Sequence, residues 1–342
     1  MPSSTDISTS PPDSKPGQDG SNGSPEPEYF KIEDIPGKGK GVIAIQDISP
    51  GTCIFREQPL FTTASLTSTA TQERDLASIV RSLPKGSQRA FLSLYNNNPG
   101  KEPLSNIVRT NAYPLGPGSS IGAIFPVIAR FNHSCRPNTQ HAWNKLLNME
   151  TCHVISPVKK GDELTLSYHA GGPSSTRRPE LKTYFGFDCT CKVCSLPQDK
   201  LALSDERLTR AQKLDVAIGD PKRVRLVPDK VLKDCKELLD IYREEGIADT
   251  RVPRLYWDAF QIAALHGDKA RANIFAERGR DARILGEGEG SEDAIEMERY
   301  RRDPGKWEGF AGKGRKWKSE IRDIPNGVSE VEFEKWLWKE EK

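Results

Sequence analysis

Residues 130–138 read Arg130-Phe131-Asn132-His133-Ser134-Cys135-Arg136-Pro137-Asn138, a polar run set between two apolar segments. So dense a set of polar groups is costly to bury unless it binds something. Two later stretches answer it. Glu163-Leu164-Thr165-Leu166-Ser167-Tyr168 reads as a strand that leads into a tyrosine, and Cys189-Thr190-Cys191-Lys192-Val193-Cys194 holds three of the seven cysteines. That cysteine spacing suits three legs of a tetrahedral zinc better than three core thiols. The spacing leaves the fourth ligand open among Cys135, Cys53, Cys152, Cys235 and a histidine.

The chain has 342 residues, enough for a large core and about two folded units. A net charge of +2 demands neither nucleic acid nor an anionic membrane. An odd number of cysteines, clustered as they are, points to metal and free thiols in a reducing compartment and not to a disulfide framework. No apolar run approaches the ~20 residues of a membrane span, and no secretory apolar region follows the first Met, so the expected location is nucleus or cytoplasm.

Residues 1–28 are Ser, Pro, Gly and Asp with few apolar side chains, and are expected to form a disordered tail. From Tyr29 the texture is strand, glycine turn, strand: Phe30, Ile32 and Ile35 alternate with polar residues, Gly37-Lys38-Gly39-Lys40-Gly41 turns, and Val42 to Ile45 follow. Such a turn is an ordinary hairpin or a cradle in which bare backbone approaches a ligand. Leu76, Ile79, Val80 and Leu83, then Phe91, Leu92 and Tyr95, recur at helical spacing and predict a helical insert over about residues 66–100. Residues 104–115, with Asn106, Asn111 and Tyr113, read as a loop. Ile121 to Phe131 is apolar with helical spacing. Thr139 to Tyr168 predicts an antiparallel meander in which His141 and His153 are ordinary strand residues.

Beyond Pro197 the β texture stops. Val231, Leu232, Cys235, Leu238, Leu239 and Tyr242 form one helical stripe, and Leu255, Ala259, Ile262 and Ala263 another, which predicts paired helices. The tail from Asp303 holds four of the six tryptophans, and Ser329 with Glu332 marks a capping box before a last helix. Those tryptophans are expected to pin the tail to the body.

The NHSCxPN run, the ELTxSY run and the CxCxxC segment, in this order and together with Gly39-Lys40-Gly41, resemble the SET domain of protein lysine methyltransferases. The resemblance covers about residues 29–197 and is closest to the SMYD-like and fungal SET branch. It departs from SMYD proteins in one respect: no cysteine lies between Cys53 and Cys135, so the MYND zinc finger is absent. The resemblance implies an α+β fold: a SET domain over 29–175, a zinc-binding post-SET segment over 176–197, an all-α, tetratricopeptide-like domain over 198–302, and the tail over 303–342. It implies S-adenosylmethionine as cofactor, bound by Lys38, Gly39, Lys40, Gly41, Asn111, Asn132, His133, Tyr168 and Phe187. Tyr168 is implied as the catalytic residue. Structural zinc is implied on Cys189, Cys191 and Cys194, and the family pattern selects Cys135 as the fourth ligand.

The implied activity is methylation of lysines in a histone or another protein by a monomer, without direct nucleic-acid or membrane binding. The alternative is a zinc-stabilised SET-fold scaffold that binds peptides without catalysis. Calorimetric binding of S-adenosylmethionine separates the two.

Overall fold

The computed structural model describes residues 28–66, 68, 70–311 and 316–340. The disordered tail expected at the start therefore lies, up to residue 27, outside the described residues. Strands β1 (Phe30–Ile35) and β2 (Gly39–Ala44) pair antiparallel across a turn in which Gly37 has φ 75°. That conformation strains side chains with a Cβ, which is why glycine stands there. Strands β3 (Cys53–Glu57) and β4 (Phe61–Thr62) follow.

Helices α1 (Gln72–Ser82) and α2 (Lys85–Leu92) occupy the stretch whose spacing is helical, and bury Leu76, Val80 and Phe91 in a small core of their own. A third helix, α3 (Pro103–Asn111), stands where the sequence reads as loop. Its start is capped from α1: the Glu73 carboxylate accepts the Leu104 N–H at 2.9 Å and the Ser105 N–H at 2.8 Å. A cap supplied by another helix leaves no local signature.

The remaining strands are β5 (Ala112–Pro114), β6 (Gly122–Ile124), β7 (Asn132–His133), β8 (Thr139–Asn144), β9 (Met149–Val154) and β10 (Glu163–Leu166). The helical reading of Ile121 to Phe131 is corrected here. The segment opens with β6, which pairs with both β4 and β5, and then makes a 3-10 turn over Ile128–Arg130. Pro126 donates no N–H to a helix, and the next two N–H groups, of Val127 and Ile128, go to the Glu57 carboxylate at 2.9 and 3.1 Å.

The strands form three small sheets, ordered β1-β2-β10-β7, β3-β9-β8 and β4-β6-β5. Val42, Ile54, Phe125, Phe131, Val154, Leu164 and Leu166 are buried together in one core. Within the first sheet β10 runs antiparallel to β2 but parallel to β7, with Thr165 opposite Asn132 and Leu166 opposite His133. That parallel pairing brings two distant polar runs side by side.

Helix α4 (Ser174–Phe185) ends at Gly186, whose φ of 76° turns the chain toward the cysteines. Then come α5 (Gln198–Ile218), α6 (Pro221–Leu226), α7 (Pro228–Glu244), α8 (Arg251–Leu265), α9 (Lys269–Glu287) and α10 (Glu292–Arg302). Their shared core includes Val231, Leu232, Cys235, Leu239, Ala259, Phe260, Ala263 and Phe275. Helix α9 also packs on the β-region, where Gly286 lies so close to Gln140 that an added Cβ would stand 2.6 Å from its amide nitrogen.

The last helix, α11 (Glu330–Leu337), starts at the Ser329–Glu332 capping box. Trp338 behind it is fully buried, its ring 4.9 Å from that of Phe275, while Trp307, Trp317 and Trp336 pack half-buried on the same core. With eleven α-helices and three small sheets among the described residues, the fold is α+β.

Candidate functional site

Parallel pairing of β7 with β10 carries Tyr168 back against the residues around Asn132. The Tyr168 hydroxyl donates to the Phe131 carbonyl at 2.5 Å, and its backbone N–H donates to His133 Nδ1 at 3.1 Å. Since Nδ1 accepts, a neutral His133 carries its proton on Nε2, which lies 3.3 Å from Cys135 Sγ. Burial, reinforced by His169, lowers the His133 pKa to about 3, so the ring is neutral at physiological pH. Burial likewise pushes the Tyr168 phenol well above its ordinary range and keeps it un-ionised. An aromatic wall closes round the pair: Phe185 lies 4.8 Å from the Tyr168 ring, and Phe187 lies 6.1 Å from His133 and 6.4 Å from Tyr168.

The glycine turn meets this group through Asn132. The Asn132 amide donates to Lys40 O at 3.2 Å and to Glu163 Oε1 at 2.9 Å, while Glu163 Oε2 takes the Lys38 ammonium at 2.6 Å. The Lys40 ammonium turns away to Asp34. Gly41 is bare of necessity, since a Cβ there would sit 2.1 Å from Ile35 Cδ1 and 2.8 Å from Asn132 Nδ2. Lys38, Lys40, Gly41 and Asn132 are thus in one neighbourhood. Asn111 is not joined to it: its buried amide donates to Tyr95 O and Ile107 O, both at 2.7 Å, and no hydrogen bond links it to Asn132, His133 or Tyr168 among the described residues.

The four candidate zinc ligands converge. Cys135 Sγ is 3.9 Å from Cys189 Sγ and 3.6 Å from Cys194 Sγ, and with Cys191 all four sulfurs lie within 4.8 Å of one another. A tetrahedral zinc with Zn–S near ~2.3 Å separates its sulfurs by about 3.8 Å, so this donor set fits zinc. Cys152 is buried in the β core and Cys235 in the helical core, away from the cluster.

Three residues that sequence reasoning gave no role belong to this region. Glu163 stands at the head of the ELTLSY run, two residues before Thr165 and hence on the same strand face, a signal that was available. His169 follows Tyr168 directly; its ring lies 4.9 Å from His133, and burial lowers its pKa to about 4. Arg177, almost wholly buried in α4, carries no sequence signal, because arginine in a helix ordinarily faces solvent.

A family model described as "SET domain" matches residues 39–169. The chain is 32% identical over 282 residues to the Schizosaccharomyces pombe protein named "Histone-lysine N-methyltransferase set5", an alignment covering 82% of this chain and 85% of that protein. It is similar over shorter spans to the human "Protein-lysine N-methyltransferase SMYD4", at 32% over 85 residues, 23% of this chain and 10% of that one. The mouse "Histone-lysine N-methyltransferase Smyd1" is 27% identical over 167 residues, 42% of this chain and 31% of that one.

Proposed function

The chain belongs to the SET-domain family, and from that premise we propose that it is a protein-lysine N-methyltransferase that uses S-adenosylmethionine and acts on lysines of histones or other proteins. The observation that carries the reading is the convergence on Tyr168. Its hydroxyl is held by Phe131 O and its backbone by His133, and Asn132 joins that pair to the glycine turn at Lys40 O.

These residues fit the cofactor. The exposed backbone of Gly39 permits close approach to its polar part, Gly41 leaves room for the Asn132 amide, the Asn132 and His133 segment offers amide and carbonyl groups, and the Phe187 ring would lie against a purine. Lys38 flanks the turn, and Asn111 is proposed as an outer contributor. When bound, S-adenosylmethionine supplies an electrophilic methyl on a sulfonium.

The protein's part is to deliver a neutral amine. A free lysine has a pKa near ~10.4 and is charged at pH 7, whereas the apolar surroundings of Tyr168, with Phe185 4.8 Å from its ring, disfavour the ammonium. Tyr168 stays a phenol there, so it hydrogen-bonds the amine without adding charge, and Phe131 O fixes its direction. Cys135, Cys189, Cys191 and Cys194 would hold zinc as a structural ion that folds residues 176–197 beside the site. The helices of 198–302, read as a tetratricopeptide-like unit, and the insert of 66–100 would shape the substrate groove. Action on histones places the protein in the nucleus, and other protein substrates in the cytoplasm as well.

The test is transfer of labelled methyl from S-adenosylmethionine to histones and to a cell lysate, read by mass spectrometry, alongside calorimetry of cofactor binding. Lysine methylation with a bound cofactor is expected. No binding together with no transfer to any protein would defeat the reading.

A further inference from the structure

Arg177 is 1% exposed, yet its Nε and Nη2 have no hydrogen-bond partner among the described residues. Its Nη1 donates to Gly172 O at 2.8 Å and reaches Asp205 only at 3.4 Å. That carboxylate is already engaged by the Ser174 N–H, at 2.7 Å, and by the Ser174 hydroxyl. A buried guanidinium left in this state is costly unless an anion faces it.

One of the four clustered cysteines lies beside it. Arg177 lines a small cavity together with Cys135, His169, Val193, Arg136 and Arg251. Of the three arginines, Arg251 is matched by Asp249 through contacts of 2.8 and 2.6 Å, and Arg136 by the buried Glu245. Of the three, Arg177 is the one whose buried side-chain nitrogens lack a hydrogen-bond partner among the described residues. A divalent zinc bound by four thiolates keeps two negative charges, and such a centre inside a protein needs a counter-charge.

We propose that Arg177 is the buried counter-ion of the four-cysteine centre, its free Nε and Nη2 serving the thiolates while Nη1 ties the zinc segment to Gly172 and α5. The inference rests on the zinc reading of these cysteines. Two histidines lie beside Cys135, with ring nitrogens within 4.8 Å of its sulfur. His133 Nε2 stands 3.3 Å from Cys135 Sγ, and His169, whose Nδ1 accepts the Gly171 N–H at 2.7 Å, keeps a buried Nε2 with no other partner among the described residues. Arg177 is a positioning residue for the metal ligands.

The test measures zinc and not methylation. The full-length protein, Arg177→Lys and Arg177→Met are compared for zinc content by plasma mass spectrometry and for the rate of zinc release to a chromogenic chelator. Arg177→Met should release zinc about 10- to 100-fold faster than the parent, and Arg177→Lys, which keeps the charge, should stay within a few-fold. Release from Arg177→Met at the parental rate, or equally fast release from both variants, overturns the inference.

Should Arg177→Met give no soluble protein, Asp205→Asn replaces it. Removing the competing carboxylate leaves the guanidinium to the thiolates and should slow release, and unchanged or faster release counts against the proposal. A parent protein that carries no zinc overturns the zinc reading itself, whereas a zinc-loaded parent with indifferent variants overturns only this inference.

Discussion

The Tyr168 hydroxyl donates to the Phe131 carbonyl at 2.5 Å, so the end of one polar run is fastened to the residue that precedes Asn132 in the other. A phenol held by a backbone carbonyl and kept un-ionised by burial has one orientation and one charge state. Tyr168→Phe should therefore lower kcat by about 10²- to 10⁴-fold. Stability should fall by only about 1 kcal/mol for the lost hydrogen bond. Steady-state methylation beside calorimetric cofactor affinity checks this, with the affinity little changed.

Two glycines of the same turn should fail in different ways. An added Cβ at Gly41 meets Ile35 Cδ1 and Cγ1 and Asn132 Nδ2, all side-chain atoms and none backbone, so Gly41→Ala should fold at some cost in stability while displacing the Asn132 amide and weakening the cofactor Kd by about tenfold. Gly39 has open space but φ 74°, so Gly39→Ala should cost about 1 kcal/mol in stability with a smaller change in affinity. Paired thermal melts and calorimetry distinguish them.

Cysteine substitutions should sort by position. Cys135→Ser should abolish zinc retention and, with it, cofactor binding, as should removal of the metal by a chelator. Cys152 and Cys235 lie in separate cores, so Cys152→Ala and Cys235→Ala should leave zinc content unchanged and lose only about 1–2 kcal/mol of stability. Metal analysis of the purified variants reads the difference.

Stability should respond to pH through two buried groups of opposite sign. Burial, with Arg56 adding to it, lowers His153 from 6.5 to about 4, so the unfolded chain takes the proton first. The His153 contribution is complete above pH 6.5 and fades as pH falls toward 4. Burial raises Glu57 from 4.5 to about 7 despite the opposing Val127 and Ile128 N–H bonds. Its contribution is present below pH 4.5 and is lost as pH rises through 7. His153→Gln should shrink the stability lost between pH 7 and pH 5 by about 2 kcal/mol. Glu57→Gln should be stabler relative to the parent at pH 8 than at pH 5. Urea titrations at stepped pH measure both.

Arg136, inside the NHSCRPN run, is held by Glu245 at the end of α7, and that carboxylate also accepts from Ser204 at 2.6 Å and Arg207 at 2.5 Å. Glu245 is 2% exposed. Glu245→Ala strands a buried serine and two arginines and should cost about 2–3 kcal/mol, seen as a lowered midpoint in denaturant.

What the sequence disclosed, and what it concealed, follows from the range of each interaction. The cysteine cluster was legible because its spacing is local and few other uses of three close thiols exist; Cys135 needed the family pattern. The helical stripes from Val231 to Ala263 were legible because long amphipathic helices repeat their signal. Helix α3 was hidden because Glu73 of another helix caps it, and β6 because three residues are too few for any period to show. Arg177 was hidden for a related reason: a charged residue reads as solvent-facing until the groups packed around it are known in space.

The parallel pairing of β7 with β10 also sets an order of events. During synthesis residues 130–138 emerge with the glycine hairpin and the helical insert already made, and must wait for 163–168 and then 189–194 before their contacts exist. Closure over such separations is slow relative to forming helices. The nascent chain should therefore hold a finished hairpin and insert while this centre is still open.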